Sequence, residues 1–181
     1  MDKRDKSQLY GLLAEFGDAE EIVVAAGKAR EAGYTRLDAF TPFPVHGLPE
    51  AIGFRDVLVP WLIFIGGVCG ALAGFGLQYW INAVDYPMDV GGRPFVTWPS
   101  FIPVTFECTV LFAAFAAVIG MLMLNGLPRP HHPLFNSDRF GRASQDRFFL
   151  CIEARDPRFD GAATRRFLEE LGALSVEEVP A

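Results

Sequence analysis

From Val57 to Val84 the chain carries no charged residue: VLVPWLIFIGGVCGALAGFGLQYWINAV. About 20 apolar residues suffice for a helix to cross a bilayer, and no soluble core needs an apolar run of this length. The stretch is therefore read as a transmembrane helix, spanning 57–84. A second apolar run, Phe101 to Leu124, follows a short polar loop, so the two form a membrane hairpin. Everything else must hang from its two ends. This predicts three regions: 1–50, a hairpin region 51–127, and 128–181.

The chain is 51% hydrophobic, little above a globular protein, so where the charges lie matters more than how many there are. Lys3, Arg4, Lys6, Lys28, Arg30, Arg36 and Arg55 precede the first span. Only Arg93 lies between the spans, beside Asp85 and Asp89; Arg129, Arg139, Arg142 and Arg147 follow the second. Cationic loops stay on the cytoplasmic side. Both termini are thus expected in the cytoplasm and the loop 85–100 outside, for a multi-pass protein of the bacterial inner (plasma) membrane. The polar, patterned first 56 residues do not read as a signal peptide. A net charge of −6 argues against a general nucleic-acid surface. The bilayer is the expected contact instead.

The polar arms total roughly 110 residues, enough for one small core if they fold together. Met1–Gln8 is charged and expected to fray. Leu9–Phe16 reads as a strand. Asp18 and Glu21 have capping-box spacing, and Ile22, Ala25, Ala26 and Ala29 share a helical face. Gly33 suits the position past a helix end, and Thr35–Phe40 reads as a strand. The proline-rich Thr41–Pro49 cannot stay in a sheet and should lead the chain to the membrane. After the hairpin come a basic, aromatic loop, a strand Phe148–Ala154, a helix capped by Asp160 with Ala163, Phe167, Leu168 and Leu171 on one face, and a strand Leu174–Val179. Each arm is a βαβ unit unable to bury its own sheet face. The pair predicts an α+β membrane protein: a ferredoxin-like βαββαβ cytoplasmic domain with a two-helix transmembrane hairpin inserted between its halves.

Gly66, Gly70 and Gly74 recur every fourth residue in the first span, and the second carries Ala113, Ala116, Ala117 and Gly120. Small residues at this spacing let helices approach closely. Gly66, Gly70, Gly74, Ala113, Ala117 and Gly120 are therefore candidate helix–helix interface residues, whether the partner is the other span or another protein. Trp61 marks one membrane level; Tyr79, Trp80 and Trp98 mark the other. Glu107 is the one formal charge within a span, a candidate for a proton path or a bond to a partner's polar group. Proximity to the outer surface is the competing explanation. His131, His132, Phe135, Arg139 and Arg142 form a candidate cytoplasmic docking loop. The histidines sit in loops without an accompanying acidic or thiol cluster, so turn hydrogen bonding is expected rather than metal binding. Cys69, Cys108 and Cys151 form no CxxC or CxxCH motif. They suggest neither iron–sulfur nor covalent haem ligation and read as buried apolar thiols.

Six stretches carry a family resemblance: YTRLDAFTPFPVHGL, GFGLQYW, DYPMDVGGRP, WPSFIPVTFE, NGLPRPHHPLFN and DRFFLCIEARDP. Over roughly residues 9 to 175 the chain resembles the D-type, two-span membrane component of the bacterial alternative complex III, a quinol:electron acceptor oxidoreductase. The resemblance implies a non-catalytic membrane subunit with no cofactor of its own. Haem c, iron–sulfur clusters and quinol would belong to partner subunits, and the chief partners would be the quinol-handling integral membrane subunits. The competing class is a membrane-anchored sensor whose ferredoxin-like domain binds a small ligand or metal, since that fold hosts many functions.

Overall fold

The computed structural model describes residues 9–54, 57–89 and 91–181. The basic N-terminal residues Lys3, Arg4 and Lys6, the stretch expected to fray, and Arg55 lie outside the described residues. The elements in order are β1 (Leu9–Phe16), α1 (Ala19–Glu31), β2 (Leu37–Phe40), α2 (Leu48–Ile52), α3 (Leu58–Trp80), α4 (Trp98–Leu124), β3 (Phe148–Glu153), α5 (Gly161–Glu170) and β4 (Ser175–Pro180). They divide into a sheet unit, residues 1–55 with 130–181, and a helical unit, residues 56–129.

In the sheet unit the four strands lie in the order β2-β3-β1-β4. Every neighbouring pair is antiparallel: Ala14 faces Leu150, Leu13 faces Glu177, and Ala39 faces Leu150 from the other side. All of these pairings join a strand of the first arm to a strand of the second. Neither arm holds two adjacent strands, so neither can build any part of this sheet alone.

Side chains alternate across a strand. Phe148, Leu150 and Ile152 pack with Leu12, Ala14 and Phe16 against the apolar faces of α1 and α5. Phe149 and Cys151 point to the other face with Leu13 and Val179. At the start of β1 a register shift between Leu9 and Gly11 puts Leu9 with the helix-side core and Tyr10 with the opposite one. Gly11 is required there, because a methyl group would collide with the Ile152 carbonyl oxygen and lie 3.1 Å from Glu153 Cα. Fully burying one of these large side chains contributes about 1.5–3 kcal/mol.

Several local expectations are revised. Glu21 accepts from Gly17 N–H at 3.1 Å, and the Asp18 carboxylate accepts from Ala19 N–H at 2.6 Å. Glu21 therefore reaches one residue further back than in a capping box, and Asp18 binds the first helical amide instead of the third. β2 begins at Leu37, because the Thr35 and Arg36 amides are drawn to Asp156. The proline-rich connection contains α2, whose Leu48 is buried in the helix-side core. On α5 the buried positions are Thr164 and Leu168, while Ala163 faces solvent.

In the helical unit, α3 continues through a π-helical turn, Ile81–Asp85. α4 starts at Trp98, ahead of the expected Phe101. Pro99 lies in its first turn, where a missing N–H is harmless. Both helices are long and apolar enough to cross a membrane. Cys69 is exposed on the outside of the pair rather than buried.

Candidate functional site

Two places in this chain concentrate close contacts and polar groups: the α3–α4 seam, and the sheet face opposite the helices.

The seam is built where side chains are missing. A methyl group at Gly66 would lie 2.6 Å from Ala116 Cβ and 2.9 Å from the Phe112 carbonyl oxygen. At Gly70 it would collide with the Cys108 carbonyl oxygen, and at Gly74 it would lie 2.9 Å from Cys108 Cβ. Gly67 faces Ala113, and Gly120 receives Leu62. The glycine row thus faces α4 of the same chain. Ala116 meets Gly66, and Ala117 is half-buried beside it.

Gln78 closes the end of the seam nearest the loop between the two helices, a role the sequence reading missed. Its Nε2 lies 3.0 Å from the Gly74 carbonyl, 3.1 Å from the Phe101 carbonyl and 3.3 Å from Thr105 Oγ1. The available signal was an amide side chain one turn beyond Gly74, on the small-residue face. Beside it opens a cavity of about 550 Å³ lined by Gln78, Asn82, Tyr86, Arg93, Ser100 and Phe101. Arg93 Nε–H donates to Thr97 Oγ1 at 3.3 Å.

Glu107 is exposed on α4 and takes part in none of the hydrogen bonds or ion pairs among the described residues. A charged side chain at the centre of a membrane helix costs about 2.5–3.5 kcal/mol on insertion scales.

On the sheet unit, the segment after the hairpin folds back over the second sheet face in two 3₁₀ turns, Pro133–Asn136 and Asp138–Ser144. Leu134 and Ala143 are buried against Leu13, Phe149 and Cys151. His132 caps the first turn by accepting from Leu134 N–H at 3.3 Å, and its Nε2 lies 3.3 Å from the Tyr10 hydroxyl. Phe140 packs edge-on against Phe40, Phe135 and Phe149, with ring centroids 5.1–5.9 Å apart. Of the two arginines expected at a docking surface, Arg139 turns to Glu15, while Arg142 donates to Asp146, with Nε 3.0 Å from Oδ1, and lies near Glu15. Phe135 remains 69% exposed, and His131 is exposed as well.

Glu15 was hidden in the sequence within an apolar strand. It is 3% exposed. Its carboxylate accepts from Arg139 Nη1 at 2.9 Å and from the Ser175 hydroxyl at 3.0 Å. Arg147 Nε lies 3.4 Å away and Arg142 Nη1 3.7 Å away. A second buried carboxylate, Asp156, is 2% exposed. It accepts from Thr35 N–H at 2.7 Å, Arg36 N–H at 2.8 Å, Arg158 N–H at 2.8 Å and the Thr35 hydroxyl at 3.1 Å. Burial works to raise its pKa, but these donors together outweigh burial and hold it below the usual carboxylate value. At the β2 edge, Asp38 is shifted the other way. Desolvation first, then the neighbouring Glu153, raise its pKa against a smaller opposing pull from His132. Burial also pushes the Cys151 thiol far up, leaving it protonated and inert. Among the described residues, no group of three or more His, Cys, Asp or Glu side chains is arranged to hold a metal ion.

Comparison with known proteins gives one family. A family model described as alternative complex III, ActD subunit, matches residues 10–178. No curated protein matches the chain.

Proposed function

Since the chain belongs to the ActD family of alternative complex III subunits, we propose that it serves that respiratory complex as a non-catalytic membrane subunit. It would bind the integral membrane subunits that handle quinol, and support electron transfer without a cofactor of its own. The observation that carries this reading is the work of the buried polar groups. Glu15 and Asp156, both buried, and the half-buried Gln78 each join two distant stretches of the chain through internal hydrogen bonds. Groups used in this way maintain a scaffold. The large side chains on the outer faces of α3 and α4, among them Phe64, Leu72, Phe106 and Phe115, are exposed and available for lateral contact. The reading assigns no proton step to this chain.

The finer fold reading belongs to the same proposal. The antiparallel order β2-β3-β1-β4, with α1 and α5 sharing one core, supports a ferredoxin-like arrangement interrupted between its halves. The charge asymmetry of the flanks supports its placement on the cytoplasmic face of the inner membrane, with both termini inside.

The test is purification of the tagged chain in mild detergent, followed by subunit identification, a haem spectrum and a quinol-oxidation assay. The proposal expects co-purified haem-bearing subunits and activity, with activity lost on deletion of the chain because the complex fails to assemble. A stable, haem-free chain recovered alone would contradict it. The sensor reading draws on one feature, a groove of about 580 Å³ between β2 and the post-hairpin segment, lined by Phe40, His132, Phe135 and Phe140. It requires the isolated chain to gain thermal stability with a small ligand.

A further inference from the structure

The residues of α4 that meet α3 include Phe101, Thr105, Cys108, Phe112, Ala116 and Gly120. Successive helical residues turn by about 100°, which places Glu107 on the opposite side from this row. At 1.5 Å per residue, Glu107 lies about 13 Å along the axis from Trp98. Exposed tryptophans such as Trp98 and Trp80 mark the headgroup level. Half of a bilayer's hydrocarbon thickness is about 15 Å, so Glu107 lies deep in the apolar layer. Its side chain tilts toward the helix N-terminus, but the few ångströms gained do not reach the Trp98 level. The neighbours one turn away, Val104, Val110 and Leu111, are apolar and exposed. The nearest arginines in sequence, Arg93 and Arg129, lie outside the spans.

We propose that the outward face of α4, centred on Glu107, receives a transmembrane helix of another subunit that presents a basic side chain at this depth. The inference rests on the reading of the chain as a complex subunit and adds the surface and chemistry of contact. Charge complementarity selects the occupant. A purely apolar helix, or lipid, leaves the carboxylate without a partner, whereas an arginine, lysine or protonated histidine pairs it. The small-residue seam cannot serve this role, because α4 already fills it.

The test uses the intact complex. A photoreactive residue at Leu111, one turn from Glu107 on the same face, is illuminated and its adducts are mapped by mass spectrometry. Retention of Glu107→Leu and Glu107→Gln variants in the complex is measured through detergent washing, with membrane levels as the control for folding. The expected adduct lies on a partner's transmembrane segment within one turn of a basic residue. Retention is expected to fall on the order of tenfold for Glu107→Leu and less for Glu107→Gln, which keeps a hydrogen bond. Adducts confined to lipid, adducts on a segment without such a basic residue, or wild-type retention of Glu107→Leu would each overturn the inference while leaving the subunit reading intact. If the wild-type chain does not co-purify with the complex at all, the subunit reading falls, and this inference with it.

Discussion

In the helical unit, α3 and α4 meet where side chains are absent, at Gly66, Gly70 and Gly74. The polar contacts across that seam are few, chiefly those of Gln78. In the sheet unit, distant stretches meet around buried carboxylates, Glu15 and Asp156, each bound by donors from the other arm. The difference follows from the surrounding medium. Lipid tails are as apolar as leucine, so close backbone approach and dispersion must hold two helices together. In water, apolar burial gathers the arms without specifying how they pair, and a saturated buried carboxylate accepts only the arrangement that supplies its donors. The helical unit should therefore fail through added volume and the sheet unit through removed acceptors.

The largest effect is expected from Gly70→Leu. Even a methyl group there meets the Cys108 carbonyl, so a leucine must push the helices apart. Loss of most assembled complex, read by native electrophoresis, is the expected outcome; normal yield would mean that the glycine row does not govern the seam. Asp156→Ala comes next. It removes the shared acceptor of the Thr35, Arg36 and Arg158 amides at a part-buried site, where each hydrogen bond to a charged group is worth about 1.5–3 kcal/mol. A total loss of roughly 3–5 kcal/mol is expected by denaturant unfolding, with no change in the helical unit. The lowered pKa of Asp156 fixes the sign of its pH dependence. Its contribution is present above the unfolded value of about 3.9 and is lost as pH falls through the lower folded value.

Glu15→Gln should cost less, about 1–3 kcal/mol, because the partly exposed Arg139 can return to water and Arg142 keeps Asp146, so that the cost falls chiefly on Arg147, whose Nε is buried beside Glu15. Its specific sign is loosening of the post-hairpin segment, seen as faster amide exchange around Leu134 and Ala143. Unchanged exchange there would remove Glu15 from its proposed role. The smallest effect is expected at Asp38. Its raised folded pKa means that its favourable contribution is complete below the unfolded value and is lost as pH rises through the folded value. Asp38→Asn should therefore stabilise by a few tenths of a kcal/mol at neutral pH, after allowance for solvent screening. The gain should vanish in acid.

The strands, both long helices and the glycine row were legible because each follows a periodicity: alternation in Phe148–Glu153, spacing of four in Gly66–Gly74. Glu15 and Asp156 were not legible as structural nodes. Their partners in the other arm stand more than 100 residues away across the hairpin, and no local pattern encodes a contact over that distance. The contact of Arg139 with Glu15 was not legible either, because a basic loop gives no sign of the buried acid it covers. α2 was missed because its five residues are too few to show a helical period. Gln78 was readable in principle, from its place on the small-residue face.

The central structural claim is that every strand pairing of the sheet unit crosses the hairpin insertion. The direct test replaces residues 56–129 by a flexible glycine–serine linker and compares the product with each arm expressed alone. Thermal unfolding and amide exchange are then measured. The account predicts one cooperative transition for the joined arms, with β1 and β3 amides protected together, and no protected amides in either arm alone. A single arm that folds cooperatively by itself would contradict it.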